Sequence, residues 1–222
     1  MTASPVSPAT AGFDTREMVI VHRGLRRESR LLVELVAAVR PGDTARAGVL
    51  ADHFGLYRLG LHGHHTGEDE LLWPPLLARV DLEADLVLRM EAQHERVAGS
   101  LAAAEKLLPA WTAHAGEAER DALVATLAEH RAALIEHLDD EEAELLPLAQ
   151  RLLTAAEWHA MGDHFVETTP KPQILLLLGV VLEEATPTER ATMLGGLPLP
   201  ARLIWHLLGR PMYARTVRRV RG

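Results

Sequence analysis

The chain contains no cysteine. Disulfides, thiolate metal sites, iron–sulfur clusters and cysteine nucleophiles are therefore all excluded. Aromatic residues make up only 4% of the sequence, and runs of β-branched residues are scarce, which argues against a sheet protein. Long apolar runs are also missing. The strongest, ILLLLGVVL from Ile174 to Leu182, is about half the ~20 residues a membrane-spanning helix needs. The N-terminal stretch MTASPVSPATAGFD has no basic segment followed by an apolar one, so residues 1–13 read as a flexible arm rather than a signal peptide. These absences lead us to expect a cytoplasmic protein with no membrane span.

What is present points to helices. The 222 residues are 48% hydrophobic, dominated by Leu and Ala, which is enough for a sizeable core in one large domain or a domain with an appendage. The net charge of −8 is unevenly spread: residues 171–222 carry 8 Lys and Arg against 3 Asp and Glu, whereas residues 1–170 carry 15 against 28. The acidic part is a poor surface for nucleic acid and a fair one for cations. Twelve histidines is a high count, and most lie between residues 53 and 164.

Apolar residues recur at helical spacing along most of the chain. A first helix is expected from Asp14, whose Asp14-x-x-Glu17 spacing suits a capping box, to about Val39, where RPGD breaks it. A second is expected over about 43–72, stopped by Trp73-Pro74-Pro75, and a third over about 81–108, ended by Pro109. A fourth runs over about 116–146, with Pro147 kinking rather than ending it. Four long helices with short connections predict an up-down-up-down bundle over 14–154. Residues 155–222 then form a helical extension packed on it. In that extension Thr154-x-x-Glu157 and Thr186-Pro187-x-Glu189 are expected to cap two short helices. Its last stretch has six arginines and no acid. It is expected to cover one end of the acidic bundle, docking through Trp205, Leu207, Leu208 and Tyr213, rather than to bind a membrane or nucleic acid.

The segments HHTGEDELLWPPL and HLDDEEAELLPL are two copies of one pattern. A shift of 73 residues lays His64 on His137, Glu68 on Glu141, Asp69 on Glu142, Leu72 on Leu145 and Pro74 on Pro147, and brings His22 to within one residue of His94. Residues four apart on a helix point the same way. Two helix pairs, each with one His on its first helix and His-x-x-x-Glu on its second, can therefore aim four imidazoles and two carboxylates at one interior point. Burying unpaired carboxylates costs several kcal/mol each. Two divalent cations would neutralise them, and a donor set of imidazole and carboxylate suits iron, manganese or zinc.

On these residues the sequence resembles the hemerythrin-like, or HHE cation-binding, domains. The resemblance covers about residues 14–150 and is carried by MVIVHRGLRRE, HHTGEDELLWPPL, EAQHERV and HLDDEEAELLPL. It implies a four-helix bundle with a non-haem di-iron centre that meets O2, peroxide or NO. It also implies that Glu68 and Glu141 bridge the irons, with His22 and His64 on one and His94 and His137 on the other. The oxygen-carrying branch has a further histidine one turn along the third helix. Here those positions are Met90 and Ala98, so one iron lacks a ligand. Water fills the gap, or Tyr57 or His130, one heptad before His64 and His137, completes or tunes the site. The second carboxylate is Glu141 in one register and Glu142 in the other. His62, His65, Asp69, Glu70 and Glu142 are otherwise expected near the site or at the surface rather than as ligands, and His53 and His130 as ordinary half-buried residues.

Three functions compete at this point. The first is a di-iron redox protein acting on O2 or peroxide. The second is a non-catalytic protein that binds or senses O2, NO or iron. The third is an interaction bundle with no metal. The first is preferred. Its oligomeric state, monomer or homodimer, is open.

Overall fold

The computed structural model describes residues 13–80 and 84–222 and is all-helical among them. Helices α1 (Arg16–Ala37) and α2 (Thr44–Leu71) are followed by the short α3 (Trp73–Leu77), then by α4 (Ala84–His114) and α5 (Glu117–Asp140). The four long ones pack in a ring, α1 on α2 and α5, and α4 on α2 and α5, so that they enclose one interior. The buried positions repeat at alternating steps of three and four, as in Met18, His22, Leu25, Ser29, Leu32 and Val36 of α1. The same stepping gives Leu123, Leu127, His130, Leu134, His137 and Glu141 along α5 and its continuation. Such spacing keeps one stripe of a helix facing its neighbours. The imidazoles and carboxylates of the repeat thus occupy core positions interchangeable, in register, with leucines.

Helix ends differ from the sequence expectation in informative ways. Asp14 does not form a capping box with Glu17; its carboxylate accepts from the Arg16 amide at 3.0 Å, and α1 begins after Thr15. Phe13, expected in the flexible arm, is buried and stacks on Trp158 with ring centres 5.1 Å apart; the rest of that arm lies outside the described residues. Pro109 does not end α4. The helix continues to His114, held by fully buried Trp111 and by Thr112 donating to the Leu108 carbonyl at 2.8 Å. Its expected start at Asp81 falls outside the described residues. Trp73-Pro74-Pro75 ends α2 but opens α3.

After α5 the chain keeps its direction through a π-helical turn, Glu141–Leu145, into α6 (Leu146–Leu152). The wider turn sits just before Pro147, whose missing amide cannot serve the normal ladder. The rest consists of α7 (Ala155–Thr168), α8 (Lys171–Glu184), α9 (Pro187–Gly196), α10 (Leu199–Ile204), a second π-helical turn, Trp205–Gly209, and α11 (Arg210–Arg221). Thr154–Glu157 and Thr186–Glu189 form complete capping boxes, as their spacing predicts. Against the bundle, α7 packs on α2 and α8 on α1. Glycines permit that approach: a Cβ on Gly60 would stand 2.7 Å from Leu177 of α8, and one on Gly63 3.0 Å from Phe165 of α7.

The terminal α11 docks through Val220 and through ion pairs, Arg219 to Asp52 at 2.8 Å and Arg221 to Glu183 at 2.7 Å. Trp205 is buried as expected, and Tyr213 donates to Glu183 at 2.5 Å. Leu207 and Leu208 do not dock: both face outward. No helix among the described residues is long and apolar enough to cross a membrane.

Candidate metal centre

The repeat folds into a buried cluster with near two-fold internal symmetry. His22 Nε2 faces His64 Nε2 at 3.2 Å, and His94 Nε2 faces His137 Nε2 at the same distance. Outer carboxylates set this orientation. Glu142 accepts from His22 Nδ1 at 2.9 Å, and Asp69 accepts from His94 Nδ1 at 2.7 Å. An ionised carboxylate only accepts, so each Nδ1 carries a proton and each Nε2 points inward, where it can give its lone pair to a cation. The outer carboxylates are themselves held, Glu142 by Arg26 and Asp69 by Trp73 Nε1 at 2.8 Å. His137 Nδ1 faces Gln93 Oε1 at 3.4 Å.

Glu68 and Glu141 lie between the imidazole pairs and are fully buried. Glu68 has one oxygen 3.5 Å from His64 Nε2 and the other 3.4 Å from His94 Nε2. Glu141 Oε2 stands 3.3 Å from His22 Nε2 and 3.6 Å from His137 Nε2. Each carboxylate therefore spans both pairs. None of their four oxygens has a hydrogen-bond partner among the described residues. Burial pushes both carboxyls upward, and for Glu141 the neighbouring Glu68 charge adds to it. Burial and the other imidazoles push His64 down, and push His137 down to about 2. Burial opposes the charged form of His94 too, but Asp69 and Glu68 outweigh it and raise this group to about 9.

This arrangement fits cations. Ring nitrogens facing each other at 3.2 Å need something positive between them, a metal ion or, at His94, a proton. Two ligand atoms about 2.1 Å from one ion, at octahedral to tetrahedral angles, stand roughly 3.0–3.4 Å apart. The cluster divides into two groups that share Glu68: His22, His64, Glu68 and Glu141, and His65, Glu68, His94 and His137. Within each, one ligand atom per residue lies within 4.8 Å of all the others. The π-helical turn explains why both registers of the second carboxylate have a role. It lets Glu141 face the interior while Glu142 reaches His22.

The structure thus brings His22, His64, Glu68, His94, His137 and Glu141 together. It does not bring Tyr57 or His130 to them as extra ligands. These two side chains bond each other, Tyr57 Oη to His130 Nε2 at 2.7 Å, and the other His130 nitrogen faces Ser100 Oγ at 2.9 Å. His65 joins the cluster instead. It is buried, its ring stacks on His94 with centres 4.0 Å apart, and its Nε2 has no partner among the described residues. A sequence signal for it exists. His65 lies four residues after Leu61 and three before Glu68, in the same buried stripe of α2. His53 is likewise buried rather than half-buried, with Nε2 2.9 Å from Glu28.

A cleft of about 490 Å³ between α2 and α4 reaches His65, His94 and Asp69 from outside. Leu61, Val97 and Leu101 line its apolar part, and Glu91, Glu95 and Glu105 its acidic part, with Arg58 at the same wall.

No curated protein and no solved structure matches the sequence at a significant level. A protein-family model, the hemerythrin HHE cation-binding domain, matches residues 14–149. That span contains every residue of the cluster and well over half of the chain, so the protein belongs to the hemerythrin HHE cation-binding family.

Proposed function

We propose that the cluster holds two iron ions and that the protein reacts with O2 or peroxide as a non-haem redox protein. The observation that carries this reading is the pair of facing Nε2 contacts, each 3.2 Å, around two buried carboxylates without partners. In this reading His22 and His64 would hold one ion, His94, His137 and His65 would hold the other, and Glu68 and Glu141 would neutralise their charge. Neither set reaches six protein ligands, which leaves room for an incoming molecule. Manganese or zinc would accept the same donors, so the choice of iron is part of the proposal.

Bound iron supplies electrons to small oxygen species; the chain does the rest. Glu142 and Asp69 hold the Nδ1 protons of His22 and His94, which keeps both rings aimed inward. Buried leucines, among them Leu72, Leu134, Leu138 and Leu145, leave the cleft as the way in for water and small molecules. The acidic cleft favours ferrous ion and neutral molecules over anions, which suits O2, NO and hydrogen peroxide as partners. The same reading keeps the protein in the cytoplasm, where ferrous iron is at hand.

The test is metal content in protein purified without added metal, followed by peroxide titration. Two irons per chain and peroxide-dependent oxidation of that iron are the expected results. No stoichiometric metal, even after anaerobic ferrous loading, would overturn the reading. Bound iron that takes NO or O2 reversibly and consumes no peroxide would replace it with a sensing role.

A further inference from the structure

One layer of the core below the cluster, three polar side chains form a chain in a surround of leucine. Tyr57 and His130 are 3% and 1% exposed. Leu61 and Leu134, one turn nearer the cluster, are fully buried and separate the two layers. Seven residues along α2 and α5 place Tyr57 and His130 roughly 10 Å from the cluster along the helix axes.

The hydrogen bonds of this chain run in one direction. Ser100 Oγ donates to the Val97 carbonyl at 2.8 Å. A hydroxyl has one proton, so toward His130 Nδ1, 2.9 Å away, the same oxygen can only accept. His130 therefore carries its proton on Nδ1 and presents a lone pair at Nε2. Tyr57 Oη, 2.7 Å from that nitrogen, is the donor. Burial keeps the imidazole neutral, pushing it down to about 4. Burial, and then the Glu28 charge, push the phenol up, so Tyr57 does not ionise by itself. The pair is therefore set with a protonated phenol donating to an unprotonated imidazole nitrogen.

We infer that Tyr57 is a one-electron donor to the metal centre, and that His130 takes the phenolic proton as the electron leaves; this rests on the redox reading of that centre. The phenolic O–H bond breaks. The proton goes to His130 Nε2, and the electron to the metal centre, which is reduced by one. Hydrogen peroxide is the oxidant: a first molecule, reduced to water with protons from solvent, takes the two electrons of the two ferrous ions, and a second takes two more, of which Tyr57 replaces one. A neutral tyrosyl radical and an imidazolium remain. The imidazolium keeps both N–H groups partnered, Nδ1 with Ser100 and Nε2 with the phenoxyl oxygen. The leucine layer shields the radical from water. Tyr57 thereby supplies the single electron that no molecule in the cleft provides.

The experiment uses the full chain loaded anaerobically with ferrous iron, treated with two or more equivalents of hydrogen peroxide per chain, freeze-quenched and read by electron paramagnetic resonance. An organic radical with tyrosyl ring-proton splitting is expected. It should vanish in Tyr57→Phe at unchanged iron content. The chain has two tyrosines, so Tyr213→Phe must keep the signal. If Tyr57→Phe fails to fold, ring-deuterated tyrosine in Tyr213→Phe decides: a splitting that collapses on deuteration belongs to Tyr57. A radical that survives in Tyr57→Phe overturns the inference. So does the absence of any radical when peroxide beyond the first equivalent is consumed. Failure to take up iron at all overturns the redox reading as well, so the two failures are distinguishable.

Discussion

The two halves of the cluster come from one repeated pattern and end up unequal. On the His22 side, the outer carboxylate Glu142 is bound by Arg26, which also pairs with Asp139. On the His94 side, the equivalent Asp69 is bound by Trp73 and lines the cleft. The shift that lays His64 on His137 lays His65 on Leu138. One half therefore has a fifth imidazole and a route to solvent, and the other has a leucine and an ion-pair lid. The repeat sets the donors that the halves share. The departures from it decide which half opens to the cleft.

The largest expected effect removes what the halves share. Glu68→Gln should strip most metal from both sides and lower the melting temperature of the metal-loaded protein. In metal-free protein the same change should alter it far less, because there the Glu68 charge faces only the His64 and His94 imidazoles, at 3.5 and 3.4 Å. Paired melts with and without metal check the difference. An equal fall in both would mean that Glu68 is held by something other than a metal ion.

Next in size is His65→Leu, which restores the symmetry of the repeat. Metal content should drop toward one ion per chain, whereas Glu142→Ala should weaken the other half by about 10–100-fold in affinity. Equal losses from the two variants would erase the asymmetry between the halves. A smaller effect follows from plugging the cleft. Ala98→Trp should leave metal content intact and slow peroxide-dependent oxidation several-fold; an unchanged rate would show that small molecules enter elsewhere.

The smallest effect lies outside both halves. Burial works against the Glu183 carboxylate, but Arg221, Tyr213 and Arg27 outweigh it and lower it from 4.5 to about 2. A group depressed on folding contributes stability above its unfolded value and loses it as pH falls through the folded one. In metal-free protein the docking of α11 should therefore weaken between about pH 4.5 and pH 2. Trp205 fluorescence reads this, and Glu183→Gln should flatten the dependence.

Much of the fold and the donor set is legible in the sequence. His-x-x-x-Glu twice, at one shift, identifies the donors because residues four apart must share a helix face. The capping boxes at Thr154 and Thr186 are equally local, since three residues suffice to define them. The helix ends at Asp14 and Pro109 depart from their sequence signals for the converse reason. Whether a proline stops a helix depends on what the next turn buries, and here Trp111 holds it. Spacing likewise puts Leu207 and Leu208 on a docking face that α11 makes with Val220 instead.

His65 and Tyr57 mark the boundary most clearly. Adjacent residues on a helix point about 100° apart, so spacing alone lets either His64 or His65 face the interior, not both. Both do so because α2 lies between α1 and α4, with one partner on each side. Tyr57 and His130 occupy equivalent places in the repeat, and spacing makes each a candidate ligand. Tertiary packing brings them within 2.7 Å of each other, and a hydrogen bond made there leaves neither free for a metal. Periodicity specifies which residues face inward, since it follows from the geometry of one helix. Which inward groups then meet is decided by how the helices lie on one another, because a bond spanning two or three ångströms is set by helix placement that no single segment encodes.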